Sequence, residues 1–259
     1  MRINRSLTII IPCYNEGGRI APLLAELSAI LADEPNLRVL IIDDGSTPEH
    51  RNALERLIPQ AGLQDGRLKV HSKATNGGKG SALAIGFELA ETEIVGFIDA
   101  DGSVNGAECL RLVEAMANTP DCDAVIGSRI KMLGRVVVRQ LSRHLSGRIF
   151  ATIVSNLFAI PVYDSQCGCK FFRRAAIMAL LPKIISKTWL WDTELLILAY
   201  REGLKVIEVP VSWAEVPGSK VSMLVDPIRM LLQLLSFRAS LEAPTTHSGQ
   251  LNQSVGPLR

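Results

Sequence analysis

The feature that most constrains the fold is a short apolar run, residues 94–98, that ends directly in Asp99-Ala100-Asp101-Gly102. A continuous apolar run of this length, bounded by turn residues, is typical of a parallel strand buried on both faces. Open α/β sheets bind ligands in the crevice beyond the carboxyl ends of their strands. Two carboxylates there predict a site for a divalent cation and the polyphosphate that it neutralises. Taken alone, the motif also fits a loop with two solvated aspartates.

Strand and helix patterns alternate along the first 130 residues. Strands are predicted at residues 7–11, 37–42, 67–71, 94–98 and 124–127, and helices at residues 20–31, 79–90 and 106–118 and from Pro48 onward. The helical assignments depend on apolar residues that recur at three and four positions, and Pro48 fits the first position of a helix. This alternation predicts an α/β fold with a mainly parallel, doubly wound sheet.

Polar side chains follow each predicted strand. They are Asn15 and Glu16, Asp43 and Asp44, Lys79, Asp99 and Asp101, and Arg129. Because the carboxyl ends of parallel strands meet at one crevice, these groups predict a pocket for a nucleotide, a metal ion and a diphosphate. The glycine-rich turn around Lys79 opens a helix and could attract an anion, although a flexible turn is the alternative. No Gly-x-Gly-x-x-Gly follows the first strand, which argues against a dinucleotide dehydrogenase.

The charge pattern of the chain changes after residue 128. Residues 129–148 contain six basic side chains and no acidic one, and the uncharged run 149–163 follows. Arg135, Arg139 and Arg143 are spaced by four, which predicts one basic face of a helix suited to anionic headgroups or a phosphate-bearing lipid. The alternative is a solvated helix followed by a buried one. Residues 223–241 predict a second amphipathic helix, with Met230, Leu231, Leu234 and Leu235 turned inward, and residues 243–259 predict a disordered tail.

Composition narrows the class of protein. A net charge of +2 and an aromatic content of 5% argue against a nucleic-acid partner. Five cysteines, an odd number without a secretory leader, predict a reducing, cytosolic environment. The run 149–163 is shorter than the roughly 20 residues that cross a bilayer, so we expect a soluble protein or one on a membrane surface.

Several of these motifs occur together in one order. They are Pro12-Cys13-Tyr14-Asn15-Glu16, Asp43-Asp44-Gly45-Ser46, Lys79-Gly80, Asp99-Ala100-Asp101-Gly102 and Gly127-Ser128-Arg129. This set resembles the inverting family 2 glycosyltransferases of GT-A fold. Three later segments are similar to the branch that moves glucose from UDP-glucose to dolichyl or another polyprenyl phosphate: residues 164–168, residues 191–196, and Trp213 with residues 218–220.

The resemblance implies a role for each matching residue. The nucleotide-sugar residues would be Pro12, Tyr14, Glu16, Asp43, Asp44, Lys79 and Asp99. The catalytic group would comprise Asp101, Asp192 and Arg129, and Asp99 and Asp101 would hold Mg²⁺ or Mn²⁺. The acceptor phosphate would meet Arg139, Arg143, Ser219 and Lys220. Because a phosphomonoester with a second pKa near ~6 is already largely anionic, Asp192 is expected to orient groups around the sugar and not to act as a base.

The leading hypothesis is therefore inverting transfer of a hexose, which the resemblance implies is glucose, from UDP to a polyprenyl phosphate by a peripheral protein at the cytosolic membrane face. A mannosyltransferase that uses GDP-mannose is the first alternative, and a non-catalytic membrane-associated partner of another transferase is the second. The predicted organisation is a GT-A domain over residues 1–222, including acceptor-side helices at 135–163, then an amphipathic helix at 223–242 and the tail.

Overall fold

The computed structural model describes residues 5–60, 65–218 and 225–242. The strands are β1 Leu7–Cys13, β2 Leu37–Asp43, β3 Leu68–Ser72, β4 Ile94–Ile98, β5 Ala124–Ser128, β6 Val137–Val138, β7 Cys169–Arg173, β8 Val206–Pro210 and β9 Trp213–Ala214. The helices are α1 Ala21–Asp33, α2 Pro48–Gln60, α3 Lys79–Leu89, α4 Gly106–Ala117, α5 Leu141–Phe158, α6 Arg174–Leu180, α7 Trp191–Arg201 and α8 Val225–Glu242. Every element predicted before residue 129 is confirmed within a few residues.

A seven-stranded sheet forms the centre of the molecule, in the order β3-β2-β1-β4-β7-β5-β8. Strand β7 is antiparallel to both of its neighbours, and the other pairings in this sheet are parallel. The prediction of a mainly parallel α/β sheet is confirmed. Strands β6 and β9 form a separate two-stranded parallel pair.

The sheet is covered on both faces because its strands carry apolar side chains at consecutive positions. In β1, Ile9 and Ile11 belong to one core cluster with the buried leucines of α1, whereas Ile10 belongs to a second cluster with Phe87 of α3 and Trp191 of α7. Successive strand residues point to opposite faces. Each fully buried Leu, Ile or Phe side chain contributes about 1.5–3 kcal/mol of transfer free energy. This two-sided burial explains the continuous apolar runs in the sequence.

The strand order creates a switch point between β1 and β4. From β1 the chain continues to β2 and β3 on one side, whereas β4 lies against the other side of β1. Ligand crevices of open α/β sheets lie at such points, beyond the carboxyl ends of the strands. The loop after β1 and the Asp99-Ala100-Asp101 motif after β4 therefore flank one crevice.

The predicted helix across Arg135, Arg139 and Arg143 is wrong in its first half. Helix α5 begins at Leu141, and residues 137–138 instead form β6, which pairs with β9. Three consecutive valines precede Arg139, and β-branched side chains favour extended backbone over helix. A spacing of four therefore places only Arg143 within the helix.

Two further expectations need correction near the C-terminus. The sequence also predicts one strand over residues 206–213, and the structure divides this segment into β8 and β9, which belong to different sheets. In α8, Met230 and Leu234 are buried as predicted, but Leu235 is 48% exposed because Phe237 completes the buried face instead. The predicted tail, residues 243–259, lies outside the described residues. Within the described residues, no helix has an apolar stretch that could cross a bilayer.

Candidate active site

Three charged side chains meet in the crevice. Asp99 follows β4, Lys79 is the first residue of α3, and Asp192 lies in the first turn of α7. Lys79 Nζ lies 2.8 Å from Asp99 Oδ1 and donates to Asp192 Oδ2, also at 2.8 Å. The lysine therefore bridges a carboxylate of the predicted metal motif and the carboxylate of the predicted catalytic residue.

A second lysine, which sequence reasoning missed, contacts the same aspartate. Lys170 of β7 is fully buried, and its Nζ donates to Asp192 Oδ1 at 3.0 Å and to the carbonyl oxygen of Cys167 at 2.6 Å. Its ammonium also lies 5.3 Å from the centre of the Phe97 ring. The only signal in the sequence was a lysine directly before two phenylalanines.

The opposite charges of Lys79, Lys170 and Asp192 stabilise one another, and this shifts the pKa values of Asp192 and Lys79. Burial alone would raise the pKa of Asp192, but the attraction of Lys170 and Lys79 outweighs it, so that this pKa lies below its ordinary value. Burial would lower the pKa of Lys79, yet Asp192 and Asp99 raise it above the ordinary range. At neutral pH Asp192 is therefore ionised and Lys79 is protonated.

Asp99 differs from Asp192 in its electrostatics. Desolvation raises its pKa, Lys79 only partly opposes this, and the negative charges of Asp101 and Asp192 raise it further. The Asp99 side chain is 37% exposed toward the crevice. A divalent cation fits a partly exposed carboxylate whose negative charge, together with that of Asp101, is only partly compensated by Lys79.

The second carboxylate of the motif is oriented by its own loop. Asp101 Oδ1 accepts hydrogen bonds from the backbone N–H of Ser103 at 2.9 Å and from its hydroxyl at 2.7 Å. Across the described ranges, no group of three or more His, Cys, Asp or Glu side chains is arranged as a cation site. Asp99 and Asp101 would thus supply part of a coordination shell, and oxygens of a diphosphate and water would complete it.

The glycine-rich turn at the start of α3 binds an anion, but that anion is a side chain of the protein. Asp44 accepts from the backbone N–H groups of Gly77 at 3.0 Å and Gly78 at 2.7 Å, and it forms an ion pair with Lys73. Lys79 points away from this turn, into the carboxylate cluster. The predicted anion-binding geometry is thus present, with Asp44 in place of a phosphate.

The other residues predicted for the nucleotide lie along the ends of β1 and β2. Pro12 is the next-to-last residue of β1 and Tyr14 follows that strand, with 39% of its surface exposed. Glu16 is buried and pairs with Arg19 at 3.1 Å. Asp43 is fully buried, accepting from Arg51 Nε and the backbone N–H of Ser46, both at 3.2 Å. Its contacts anchor the loop after β2, and they leave Asp44 as the member of this pair closer to the glycine-rich turn.

Arg129 is held by an acid that the sequence analysis did not single out. Its Nε and Nη2 donate to the two carboxylate oxygens of Asp164 at 2.6 and 2.7 Å, and its guanidinium lies 5.5 Å from the centre of the Trp213 ring. Burial would raise the pKa of Asp164, but Arg129 holds it well below its usual range. The backbone N–H of Asp164 in turn donates to Glu208 at 2.8 Å.

The structure describes only some of the side chains that are predicted to bind the acceptor phosphate. Arg139 lies beside the same indole, 5.9 Å from its centre, and lines a cavity of about 400 Å³ together with Gln140 and Glu215. The side chain of Arg143 lies outside the described part of the structure, as do Ser219 and Lys220.

A comparison with protein families identifies the chain. The model described as glycosyl transferase family 2 matches residues 8–181. This protein belongs to glycosyl transferase family 2. It is 33% identical to the dolichyl-phosphate beta-glucosyltransferase of Saccharomyces cerevisiae, over 90% of this chain and 74% of the relative. It is 26% identical to the human protein of the same name, over 90% of this chain and 75% of that one.

Solved structures share the fold of this glycosyltransferase. Glucosyl-3-phosphoglycerate synthase from Mycobacterium tuberculosis, crystallised with Mn²⁺, UDP and glucosyl-3-phosphoglycerate, superposes with a TM-score of 0.69. The two are 18% identical, and the match covers 91% of this chain and 81% of the synthase. The predicted family and the GT-A fold are thereby confirmed.

Proposed function

We propose that this glycosyltransferase moves glucose from UDP-glucose to dolichyl or another polyprenyl phosphate, with inversion, at the cytosolic face of a membrane. The observation that carries the proposal is the 33% identity to a yeast protein named for glucosyl transfer to dolichyl phosphate, across 90% of this chain. The crevice at the switch point of the sheet provides the acidic and basic groups that such a reaction uses.

On the donor side, Pro12, Tyr14, Glu16 and Asp44 would contact the uridine, with Asp43 holding their loop in place. Asp99 and Asp101 would hold Mg²⁺ or Mn²⁺, which stabilises negative charge on the leaving diphosphate when it is bound. The Mn²⁺ and UDP in the crystals of a protein with the same fold support this arrangement.

In the transfer itself, an oxygen of the acceptor phosphate forms a bond to the anomeric carbon while the bond from that carbon to UDP breaks. UDP leaves with the electron pair, and the configuration at the anomeric carbon inverts. The acceptor is already largely anionic, so no proton need be removed. Asp192, ionised and bonded at both oxygens, would orient the hydroxyl groups of the sugar.

On the acceptor side, Arg139 and Arg143, together with Ser219 and Lys220, would bind the lipid phosphate, and Arg129 would add positive charge nearby. The neighbouring surface suits a membrane. Leu141, Leu145 and Ile149 recur every four residues on α5 and are 81%, 59% and 55% exposed. A row of exposed apolar side chains beside basic groups complements an anionic lipid surface.

The experiment is an assay with labelled UDP-glucose, Mg²⁺ or Mn²⁺, and dolichyl phosphate in detergent. We expect label in the chloroform phase and a loss of at least about 100-fold in the Asp101→Asn variant, since a charge-stabilising group is removed. Asp33→Asn, an exposed change at the end of α1, is the matched control and should retain full activity.

Each contrary result has a distinct meaning. Label only in water-soluble products would refute the lipid acceptor. Lipid labelling from GDP-mannose in place of UDP-glucose, with matching calorimetric affinities, would instead support the mannosyltransferase. Full function of Asp101→Asn in cells would support a non-catalytic binding partner.

A further inference from the structure

Lys170 is unusual among the basic side chains of the described residues because none of its surface is exposed. An ammonium group in such a place is costly unless charge and hydrogen bonds compensate it. Three groups compensate the buried ammonium of Lys170: one carboxylate oxygen of Asp192, the backbone carbonyl of Cys167 and the ring of Phe97. Replacement of a whole buried ion pair by hydrophobic residues of similar volume is often neutral or stabilising, so the stability of the fold does not by itself require an ion pair at this place.

The two lysines that contact Asp192 differ in their freedom to move. Lys79 shares its Nζ between Asp192 and Asp99, both at 2.8 Å, and 9% of its side chain is exposed. Lys170 belongs to a strand paired on both sides, where it lies opposite Phe97 on β4 and Ile126 on β5. Lys170 therefore has a backbone fixed by the sheet and one carboxylate partner, whereas Lys79 has two carboxylate partners and can keep one when it releases the other.

The two lysines contact different oxygens of the Asp192 carboxylate. Lys170 holds Oδ1 from inside the sheet, and Lys79 holds Oδ2 from the crevice. A carboxylate held at one oxygen can rotate about that bond, whereas one held at both oxygens has a single orientation. When substrate groups compete for Lys79, the bond to Lys170 is the one that remains.

We propose that Lys170 is a positioning residue for glucosyl transfer, which fixes the orientation of the Asp192 carboxylate in the crevice. This rests on the proposed function, in which Asp192 contacts the sugar. The alternative is that Lys170 only balances the buried charge of Asp192 and has no effect on the reaction.

The test is a double-mutant cycle with Lys170→Met and Asp192→Asn, read as kcat, KM for UDP-glucose and UDP affinity by calorimetry. We expect Lys170→Met to lower kcat about 10–100-fold, since misplacement of a reacting group by about 1 Å can cost 10²-fold. KM for the donor and UDP affinity should stay within about threefold, because Lys170 does not line the nucleotide pocket. In the Asp192→Asn background, Lys170→Met should change kcat by less than about threefold, because non-additivity marks residues that act through one another.

Lys183→Met is the matched control. It breaks an ion pair with Glu202 at 2.7 Å in which both side chains are more than 40% exposed, and it should leave kcat unchanged. A folded Lys170→Met variant with wild-type kcat would overturn the proposal, as would equal losses in both backgrounds.

Should Lys170→Met fail to fold, the double variant with Asp192→Asn has no uncompensated buried charge and can still be measured. Lys170→Arg is therefore measured as well, because arginine keeps the positive charge beside Asp192 but presents a planar guanidinium in place of the ammonium. Charge balance alone predicts a wild-type kcat for a folded Lys170→Arg variant, which would overturn the proposal, whereas a positioning role predicts a loss of at least about 10-fold. Failure of both single variants to fold would assign Lys170 to stability and would also overturn the proposal. Absence of product from the wild-type protein would count against the proposed function instead, so the two failures are distinguishable.

Discussion

A methyl group at Gly168 would overlap the carboxylate of Asp99. A Cβ atom built there overlaps Asp99 Oδ2 and Cγ and lies 2.8 Å from Oδ1, whereas ordinary van der Waals contacts begin at 3.4 Å. Gly168 also fixes the backbone of Asp99, since its carbonyl oxygen accepts from the Asp99 N–H at 3.0 Å. The Gly168→Ala variant must therefore move the carboxylate by on the order of 1 Å, outward into the crevice.

The expected effect on activity is larger than the effect on stability. A displacement of about 1 Å at a reacting centre costs roughly 100-fold in rate, or about 2.7 kcal/mol of activation free energy. Overpacking lowers the free energy of unfolding by about 1–3 kcal/mol, and partial exposure of Asp99 places this variant near the lower end. The measurements are kcat for glucosyl transfer and unfolding in urea.

Gly203→Ala is the control for this prediction. Gly203 has φ +74° with open space around its Cβ position, so alanine there adds backbone strain of about 1–2 kcal/mol without displacing any side chain. It follows α7, whose 11 residues separate it from Asp192 by roughly 15 Å. A Gly168→Ala variant with kcat within threefold of wild type would refute the role of Asp99, and an equal loss in Gly203→Ala would show that stability alone explains the effect.

Two further predictions concern the acceptor side. Asp164→Asn leaves Arg129 buried without its carboxylate, so calorimetry should show a loss of about 3–5 kcal/mol in the free energy of unfolding, and an unchanged value would contradict the pairing. Because the pKa of Asp164 is lower in the folded state, its stabilisation is complete above about pH 4 and declines as pH falls below that, and the variant should lack this decline. The paired change Leu145→Glu and Ile149→Glu should weaken sedimentation with anionic vesicles at least tenfold while UDP affinity stays constant, and undiminished vesicle binding would remove α5 from the membrane contact.

The sequence predicted the strands and helices before residue 129 because each of their signals is local. The apolar run before Asp99 and the proline at the start of α2 specify their own elements. The meeting of Asp44 with the turn at Gly77 was implied only in general, since parallel strands end at one edge. Which way Lys79 points could not be predicted, because a lysine at a helix start can face an anion in the turn or acids across the crevice.

Arg129 and Asp192 were predicted from the sequence, but their partners Asp164 and Lys170 were missed. Lys170 and Asp192 are 22 positions apart and meet only because β7 runs antiparallel between β4 and β5. Arg129 and Asp164 are 35 positions apart, and residues 129 and 164 lie at the two ends of the segment between β5 and β7. For Arg135 and Arg139, a spacing of four fitted a helix, but the valines between them favour extended chain.

The reversed direction of β7 has a consequence for how such a protein can diversify. The segment between β5 and β7 leaves the sheet beside the crevice and returns to the same edge, because β7 begins opposite the end of β4. A segment that starts and ends at the same edge of the sheet can become longer or shorter, or be exchanged, without a change in the order of the strands. Under the proposed function, in which this segment binds the acceptor, acceptor recognition can therefore change while the residues proposed to bind the nucleotide stay constant.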